Sequence, residues 1–140
     1  MILLDTNVIS EVMLRQPAFS VVAWLDVQAA ELLWISSITL FELHYGLAVL
    51  ADGRRKAWLE ERLAELVRDE LDHRVAVFDV RAADRAAALA AGRKREGRPV
   101  DLRDTFIAGI ALANGATLAT RNTRHFADLP VPVINPWEFQ

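Results

Sequence analysis

The sequence predicts an α/β fold of three layers, α/β/α, around a central and mostly parallel sheet. Short apolar runs alternate along the chain with segments of ten or more residues that carry helical patterning, and strands joined by crossover helices pair in parallel and are covered on both faces. No internal repeat, low-complexity tract or linker interrupts the 140 residues, so residues 1–140 read as one domain near the usual domain size. Polar residues also stand directly after two of the apolar runs, and in such sheets ligands sit beyond the carboxyl ends of the strands.

Ile2-Leu3-Leu4 reads as a buried strand ending at Asp5-Thr6-Asn7. Asp5 or Thr6 caps a helix through Val8, Ile9, Val12 and Met13, which Pro17 stops. A second helix runs from Phe19 to Ala29, and Leu32 to Ile35 is the next strand. Ser36-Ser37 offers a cap for a helix from about Ile38 to Leu50. After the turn signal Asp52-Gly53, the segment Arg54–Leu71 places Trp58, Leu59, Leu63, Leu66, Val67 and Leu71 on one helical face. Val75 to Phe78 is a strand, Ala82–Arg95 an alanine-rich helix ending at Gly97, and Leu102 to Ala113 a helix closed by Asn114-Gly115. Thr117-Leu118-Ala119 and Val131 to Ile134 are the last strands. Asp5 and Thr6, after the first strand, should share an edge with Thr120-Arg121-Asn122, after the fourth.

Composition narrows the function classes. A chain of this length buries roughly two-thirds of its unfolded surface, so it supports a core without staples. There is no cysteine, which excludes disulfides, thiolate zinc sites and cysteine nucleophiles and suits a reducing cytosol. The start Met-Ile-Leu-Leu-Asp lacks the basic opening and apolar core of a signal peptide, and no apolar run is long enough to span a bilayer. A cytoplasmic protein without membrane association is expected. The net charge of −3 argues against whole-surface binding of nucleic acid, so a polyanion would be held by a local patch or by bridging cations.

Several polar residues stand out. Asp5 follows three apolar residues, either as an N-cap contributing about 1 kcal/mol or as a functional carboxylate. Glu42 sits in a mostly apolar helix with Ile38 and Tyr45 at i−4 and i+3. That predicts a buried carboxylate, which must be paired, protonated or bound to a cation. No basic residue lies within one turn of it, although a Lys or Arg from elsewhere in the chain could reach it. Asp101-Leu102-Arg103-Asp104 has capping-box spacing with Asp in place of Glu; Asp101 reads as the cap, and spacing alone leaves Asp104 open. His44, His73 and His125 lack metal-ligand spacing and read as surface or supporting groups. Arg93-Lys94-Arg95, with Arg98 and Arg103, either complements a helix C-terminus or contacts a polyanion. No P-loop, GxGxxG or GxSxG motif occurs.

Asp5-Thr6-Asn7 after an apolar strand, Glu42 in an apolar helix, Asp104-x-x-Ile107-Ala108 and then Thr120-Arg121-Asn122 together resemble the PIN-domain family. Leu4-Asp5-Thr6-Asn7-Val8-Ile9-Ser10-Glu11, the stretch Leu118-Ala119-Thr120-Arg121-Asn122-x-x-x-Phe126 and the closing Val133-Ile134-Asn135-Pro136-Trp137 resemble the VapC and FitB-like toxins of bacterial toxin–antitoxin pairs. The resemblance covers essentially the whole chain. Each motif is weak alone, and the ordered set is specific.

The resemblance implies a PIN-like fold and a metal-dependent endoribonuclease that acts as the toxin of a type II toxin–antitoxin pair. It further implies a homodimer and a small cognate antitoxin whose tail blocks the site and which supplies the DNA contacts. Asp5, Glu42 and Asp104 carry over as acidic ligands of Mg²⁺ or Mn²⁺. Thr120 carries over as the polar residue of the last motif, touching phosphate or water at the metal, with Asn122 beside it in the catalytic set. Many members have Thr-x-Asp there; Asn122 removes a charge and leaves open whether one metal or two bind. Thr6, Asn7, Arg98, Arg103 and Arg121 are the expected contacts to RNA.

The chemistry of these residues agrees. Two carboxylates about 4 Å apart repel by roughly 4 kcal/mol at an effective dielectric of about 20, so three gathered without Lys or Arg would largely protonate unless a divalent cation relieved them. Hard oxygen donors without a thiolate or histidine cluster favour Mg²⁺ or Mn²⁺ over Zn²⁺. Such an ion polarises a phosphodiester and activates water for in-line attack, leaving 5′-phosphate and 3′-hydroxyl ends. A receiver or phosphatase domain also places an Asp beyond its first strand. Yet the only lysines are Lys56 and Lys94, neither after a late strand, and the Asp-x-Asp pair is absent. The other alternative is a non-catalytic RNA-binding or regulatory PIN module, and the presence of all three acids weighs against it.

Overall fold

In the computed structural model, which describes residues 1–140, β1 (Ile2–Leu4) lies at the centre of a five-stranded sheet. β2 (Leu33–Ser36) and β3 (Val75–Ala76) extend it on one side, and β4 (Thr117–Ala119) and β5 (Val133–Ile134) on the other, in the order β3-β2-β1-β4-β5. The pairings are all parallel, so the sheet is parallel throughout and not merely for the most part. The chain leaves β1 for β2 on one side and later returns to β4 on the other. β1 is thus the topological switch point, where the helices diverge and open a crevice. Leu4 is in register with both Ile35 and Ala119, so Asp5, Ser36 and Thr120 leave the sheet side by side. The expected shared edge for Asp5 and Thr120 is present.

Alternation along β1 sets the two cores, because successive strand side chains face opposite ways. Leu4 packs with Ile35 and Ala119 beneath α1 (Thr6–Val12), α2 (Phe19–Asp26), α3 (Ser37–Ala48) and α4 (Arg54–Glu65). Leu3 packs with Leu118, Ile107, Ile110 and Phe126 beneath α5 (Val80–Arg95) and α6 (Leu102–Asn114). These are the three layers. The close packing of α5 on α6 depends on small residues: a Cβ on Gly109 would lie 2.5 Å from the Ala82 carbonyl oxygen and 2.7 Å from the Ala86 Cβ. That packing holds the start of α6, and with it Asp104, at the sheet edge.

Helix ends follow the capping chemistry. Ser36 accepts from Thr39 N at 2.9 Å and Asp79 from Ala82 N at 2.9 Å. Asp101 accepts from Asp104 N at 2.9 Å, the capping role its spacing predicts. Gly115 ends α6 at φ 58°, a left-handed conformation that glycine adopts without a Cβ penalty.

Some boundaries differ from the sequence reading. The expected single helix over Arg54–Leu71 is α4 followed by one π turn, Leu66–Glu70. There Leu71 N donates to Leu66 O across 2.9 Å. The widened turn stacks Leu71 under Leu66, so both stay buried with Leu63; a regular helical turn would rotate Leu71 away. The second helix stops at Asp26 and not Ala29. The third strand stops at Ala76, and Phe78 N donates instead to the Ser37 hydroxyl at 3.1 Å. The last strand is only Val133–Ile134. No helix is long and apolar enough to cross a membrane.

Candidate active site

The end of β1 fixes Asp5. Its backbone N–H still donates to Ala119 O at 2.9 Å, while its side chain accepts from Thr6 N at 2.8 Å and caps α1 at the first position. Its other oxygen, Oδ2, accepts from the Thr120 hydroxyl at 2.7 Å and lies 3.4 Å from Asn7 Nδ2. Asp5 is 4% exposed. Burial pushes its carboxyl up from 3.8 to about 6, and the neighbouring Asp104 and Glu42 carboxylates push the same way, while the Thr120 and Thr6 hydrogen bonds pull it down. Desolvation therefore outweighs hydrogen bonding at this carboxylate.

Thr120 is fully buried, and its hydroxyl also accepts from Asn122 N at 3.0 Å. Thr120 therefore meets the site through Asp5. Its donor is committed to Asp5, and Thr120 does not line the cleft. Its sequence position reads as exposed only if the residue after a strand turns outward; here the tight β4 end keeps it beneath the edge.

Glu42 also departs from expectation. Its side chain is 20% exposed, Tyr45 is exposed and Ile38 only half-buried, so its stripe is the rim of the cleft and not core. The absence of local cations is made good from α6, where Arg103 Nη1 lies 3.7 Å from Glu42 Oε2. The acids are therefore not gathered without arginine, as the sequence suggested. Arg103 is itself half exposed and lies over the faces of Phe41 and Tyr45, at 5.7 and 6.0 Å from their centroids. Glu42 Oε1 accepts from the Thr6 hydroxyl at 2.9 Å. Having donated there, Thr6 must accept from the Thr39 hydroxyl at 3.1 Å, and Thr39 accepts from the Ser36 hydroxyl at 3.2 Å. A directed relay, Ser36 to Thr39 to Thr6 to Glu42, thus runs from the buried end of β2 to the rim. Thr39 escaped the sequence reading, although a Thr three residues after a capping Ser and three before Glu42 was a usable signal.

Asp104 projects from the first turn of α6. Its Oδ2 lies 2.9 Å from His125 Nδ1, and no side-chain group engages Oδ1. His125 belongs to the short 3-10 turn Thr123–Phe126 after β4. Nothing in its sequence spacing relates it to Asp104, so only folding could reveal the pair.

Asp5, Glu42 and Asp104 line one open cleft of about 460 Å³ together with Thr6, Asn7 and Asn122. Ser10, Glu11, Leu14, Arg121 and Trp137 complete its walls. The Asn122 side chain makes no hydrogen bond to the chain. Arg121 places its guanidinium 5.0 Å over the Trp137 ring, and Asn7 Oδ1 accepts from Arg121 N at 3.3 Å. Of the expected site residues, Thr120 lies beneath the cleft, Arg103 lines an adjoining groove that shares Thr6 and Glu42 with it, and Arg98 is placed elsewhere. Its Nη1 lies 2.8 Å from Asp128 Oδ2 in a separate cavity behind Asp104.

The donor set suits a hard divalent cation: Asp5, Glu42 and Asp104 reach one cleft, with Glu11 on its wall holding one oxygen to Ala18 N, and desolvation and mutual repulsion raise the Asp5 carboxyl. Each acid is at present turned to a polar neighbour, and no three His, Asp or Glu side chains converge on a single point. The chemistry of these oxygen donors fits Mg²⁺ or Mn²⁺.

Comparison with known proteins agrees with this architecture. A family model described as PIN domain matches residues 2–132. The chain is 46% identical to plasmid stability protein StbB of Pseudomonas syringae pv. tomato over 138 residues, covering 99% of each chain. It is 42% identical to VapC ribonuclease Y4jK of Sinorhizobium fredii, again over 138 residues and 99% of each. The structure of FitAB bound to an IR36 DNA fragment contains a chain that superposes with a TM-score of 0.90 at 38% identity, covering 100% of this chain and 98% of that one. On this matched length and identity, together with a carboxylate cleft at the switch point of a parallel sheet, the chain belongs to the PIN-domain family, among its VapC- and FitB-like members.

Proposed function

We propose that the chain is a divalent-metal-dependent endoribonuclease and the toxin of a type II toxin–antitoxin pair. The observation that carries this reading is the meeting of Asp5, Glu42 and Asp104 in one open cleft, with Arg121 on its wall and Arg103 beside Glu42. The ribonuclease name of one relative and the FitAB–DNA assembly of another support the same reading.

Asp5, Glu42 and Asp104 hold the cation. When bound, Mg²⁺ or Mn²⁺ polarises the phosphodiester and lowers the pKa of water for in-line attack. The chain's own residues do the rest. Thr120 fixes one Asp5 oxygen, the hydroxyl relay fixes Glu42, and His125 fixes one Asp104 oxygen, so the acids present defined faces to the cleft. Thr6 and Asn7 line the floor. Arg103 and Arg121, each backed by aromatic rings, are placed to hold phosphate oxygens of the RNA, and Asn122 is free to orient water or substrate. A small antitoxin that blocks the cleft and carries the DNA contacts, a homodimeric state and a cytoplasmic location belong to the same proposal.

The test is RNA cleavage by the purified chain with Mg²⁺ or Mn²⁺, with excess EDTA, and in Glu42→Gln. Cleavage is expected only in the metal-loaded wild type, with the variant folded. Full cleavage by thoroughly chelated protein would end the mechanism.

A further inference from the structure

The basic concentration from Arg93 to Arg103 is only partly explained by the cleft. Arg103 stands beside Glu42, whereas Arg93 and Arg98, with Arg124, line a second cavity of about 240 Å³. This cavity shares Asp104 with the acidic cleft, and His125, which lines only the second cavity, pairs with Asp104, so the Asp104–His125 pair stands between the two.

The arginines on this far side are unequally paired. Arg93 is 5% exposed. Its Nε and Nη2 engage Asp128 at 3.0 and 2.9 Å, and Nη2 also donates to His125 O at 2.8 Å. Its Nη1 has no partner in the chain, and since no buried polar side-chain atom lacks a partner, Nη1 is open to the cavity that Arg93 lines. Arg98 uses the same Asp128 carboxylate at 2.8 Å and has only a loose second partner, Glu96 at 3.9 Å. Arg124 makes no side-chain hydrogen bond or ion pair. One carboxylate thus serves two guanidiniums while a third has none. Of the acids on the cavity wall, Asp101 is engaged as the cap of α6 and Asp104 faces His125.

A guanidinium held this firmly is a costly feature for stability alone, because a surface pair is worth little and an arginine must be desolvated to be buried. Fixed, forked donors with a mobile third arginine beside them match a phosphate. We propose that this cavity is a second phosphate subsite, which takes an RNA phosphate flanking the one hydrolysed in the acidic cleft, with Arg124 and Arg93 Nη1 as donors and Arg98 contributing charge. The proposal rests on the endoribonuclease reading. It means that the strand passes over the Asp104–His125 wall, so that the wall separates the cation side from the phosphate-binding side.

The test uses the Glu42→Gln chain and a fluorescent, mixed-sequence, single-stranded oligoribonucleotide, titrated at several salt concentrations. Adding Arg124→Ala should weaken binding about five- to tenfold and lower the slope of log K against log salt by about 0.7, the value for one lost single-strand phosphate contact. Arg124→Lys should retain most of the affinity. In the cleaving chain, Arg124→Ala should raise KM and leave kcat nearly unchanged, as loss of uniform binding does. An unchanged affinity, slope and KM would overturn the subsite. So would inorganic phosphate that occupies the cavity without weakening RNA binding, since the pocket would then serve free anions. RNA binding that depends on Arg124 without any metal-dependent cleavage would remove the nuclease reading and leave the subsite standing. A chain that neither binds nor cuts RNA would remove both.

Discussion

The Thr120 hydroxyl donates to Asp5 Oδ2 across 2.7 Å, joining residues that stand 115 positions apart in the chain. The bond is fully buried and closes the seam between β1 and β4 at the switch point. It is also the only hydroxyl donor to a carboxylate that burial has already pushed toward neutrality.

Thr120→Val should therefore be costly although the side chains match in volume. Loss of a hydrogen bond to a charged group is worth about 1.5–3 kcal/mol, and Thr120→Ser should restore most of it. Cleavage should fall in the Val variant and recover in the Ser variant. Equal melting temperatures for the wild type and the Val variant would show that the bond contributes nothing.

The raised Asp5 pKa sets a pH dependence for the metal-free protein. The folded chain binds the Asp5 proton more tightly than the unfolded chain, with values of about 6 and 3.8. Its stabilising contribution is fully present below the lower value and is lost as pH rises through the upper one, on the order of 3 kcal/mol in all. Melting in EDTA should thus fall between about pH 3.8 and about pH 6.5, and Asp5→Asn should remove that part of the fall while abolishing cleavage. Parallel pH profiles for the two proteins would mean that Asp5 ionises in the folded chain as it does in water. Mn²⁺ should reverse the loss at neutral pH, by about 2.7 kcal/mol when present at 100 times its Kd.

Asp101 and Asp104 are separated by role. Asp101 accepts from Asp104 N at 2.9 Å, so Asp101→Asn should be nearly silent, and Asp101→Ala should cost about 1 kcal/mol of stability with cleavage largely kept. Asp104→Asn should lower cleavage on the order of 10²-fold or more with little change in melting under EDTA. A dead Asp101→Asn variant beside an active Asp104→Asn variant would exchange the two roles.

Asn122 lines the cleft with no side-chain partner in the chain. Asn122→Asp should then tighten Mn²⁺ binding, because an added carboxylate raises the negative charge facing the ion. Calorimetric titration with unchanged or weaker affinity would place Asn122 outside the coordination shell.

Gly109 faces Ala82 and Ala86 with no room for a Cβ. Gly109→Ala should destabilise the chain by about 1–3 kcal/mol, as overpacking does, despite the better helix propensity of alanine. A stabilised variant would mean that α5 and α6 can separate freely, and Asp104 would then not be held at the sheet edge by that contact.

Much of this protein is written locally. Ile2-Leu3-Leu4 followed by Asp5 specifies a buried strand with a polar exit, and the alternation of apolar runs with helical segments specifies the parallel sheet, because each choice depends on neighbours within a few residues. Asp101 as a cap is legible for the same reason, whereas Asp5, Glu42 and Asp104 stand out as a set only through the resemblance of their ordered motifs to the PIN-domain family. Tertiary structure decided the environment of each acid. Periodicity made Glu42 look buried and left Asp5 undecided, yet the crevice at the switch point opens the rim of α3 to solvent, whereas the register of β1 with β4 seals Asp5 against Thr120. Arg103 beside Glu42, His125 beside Asp104 and three arginines around a second cavity likewise join segments tens of residues apart. Burial and charge pairing depend on what packs against a residue from other elements, and no local pattern in the chain encodes that distance.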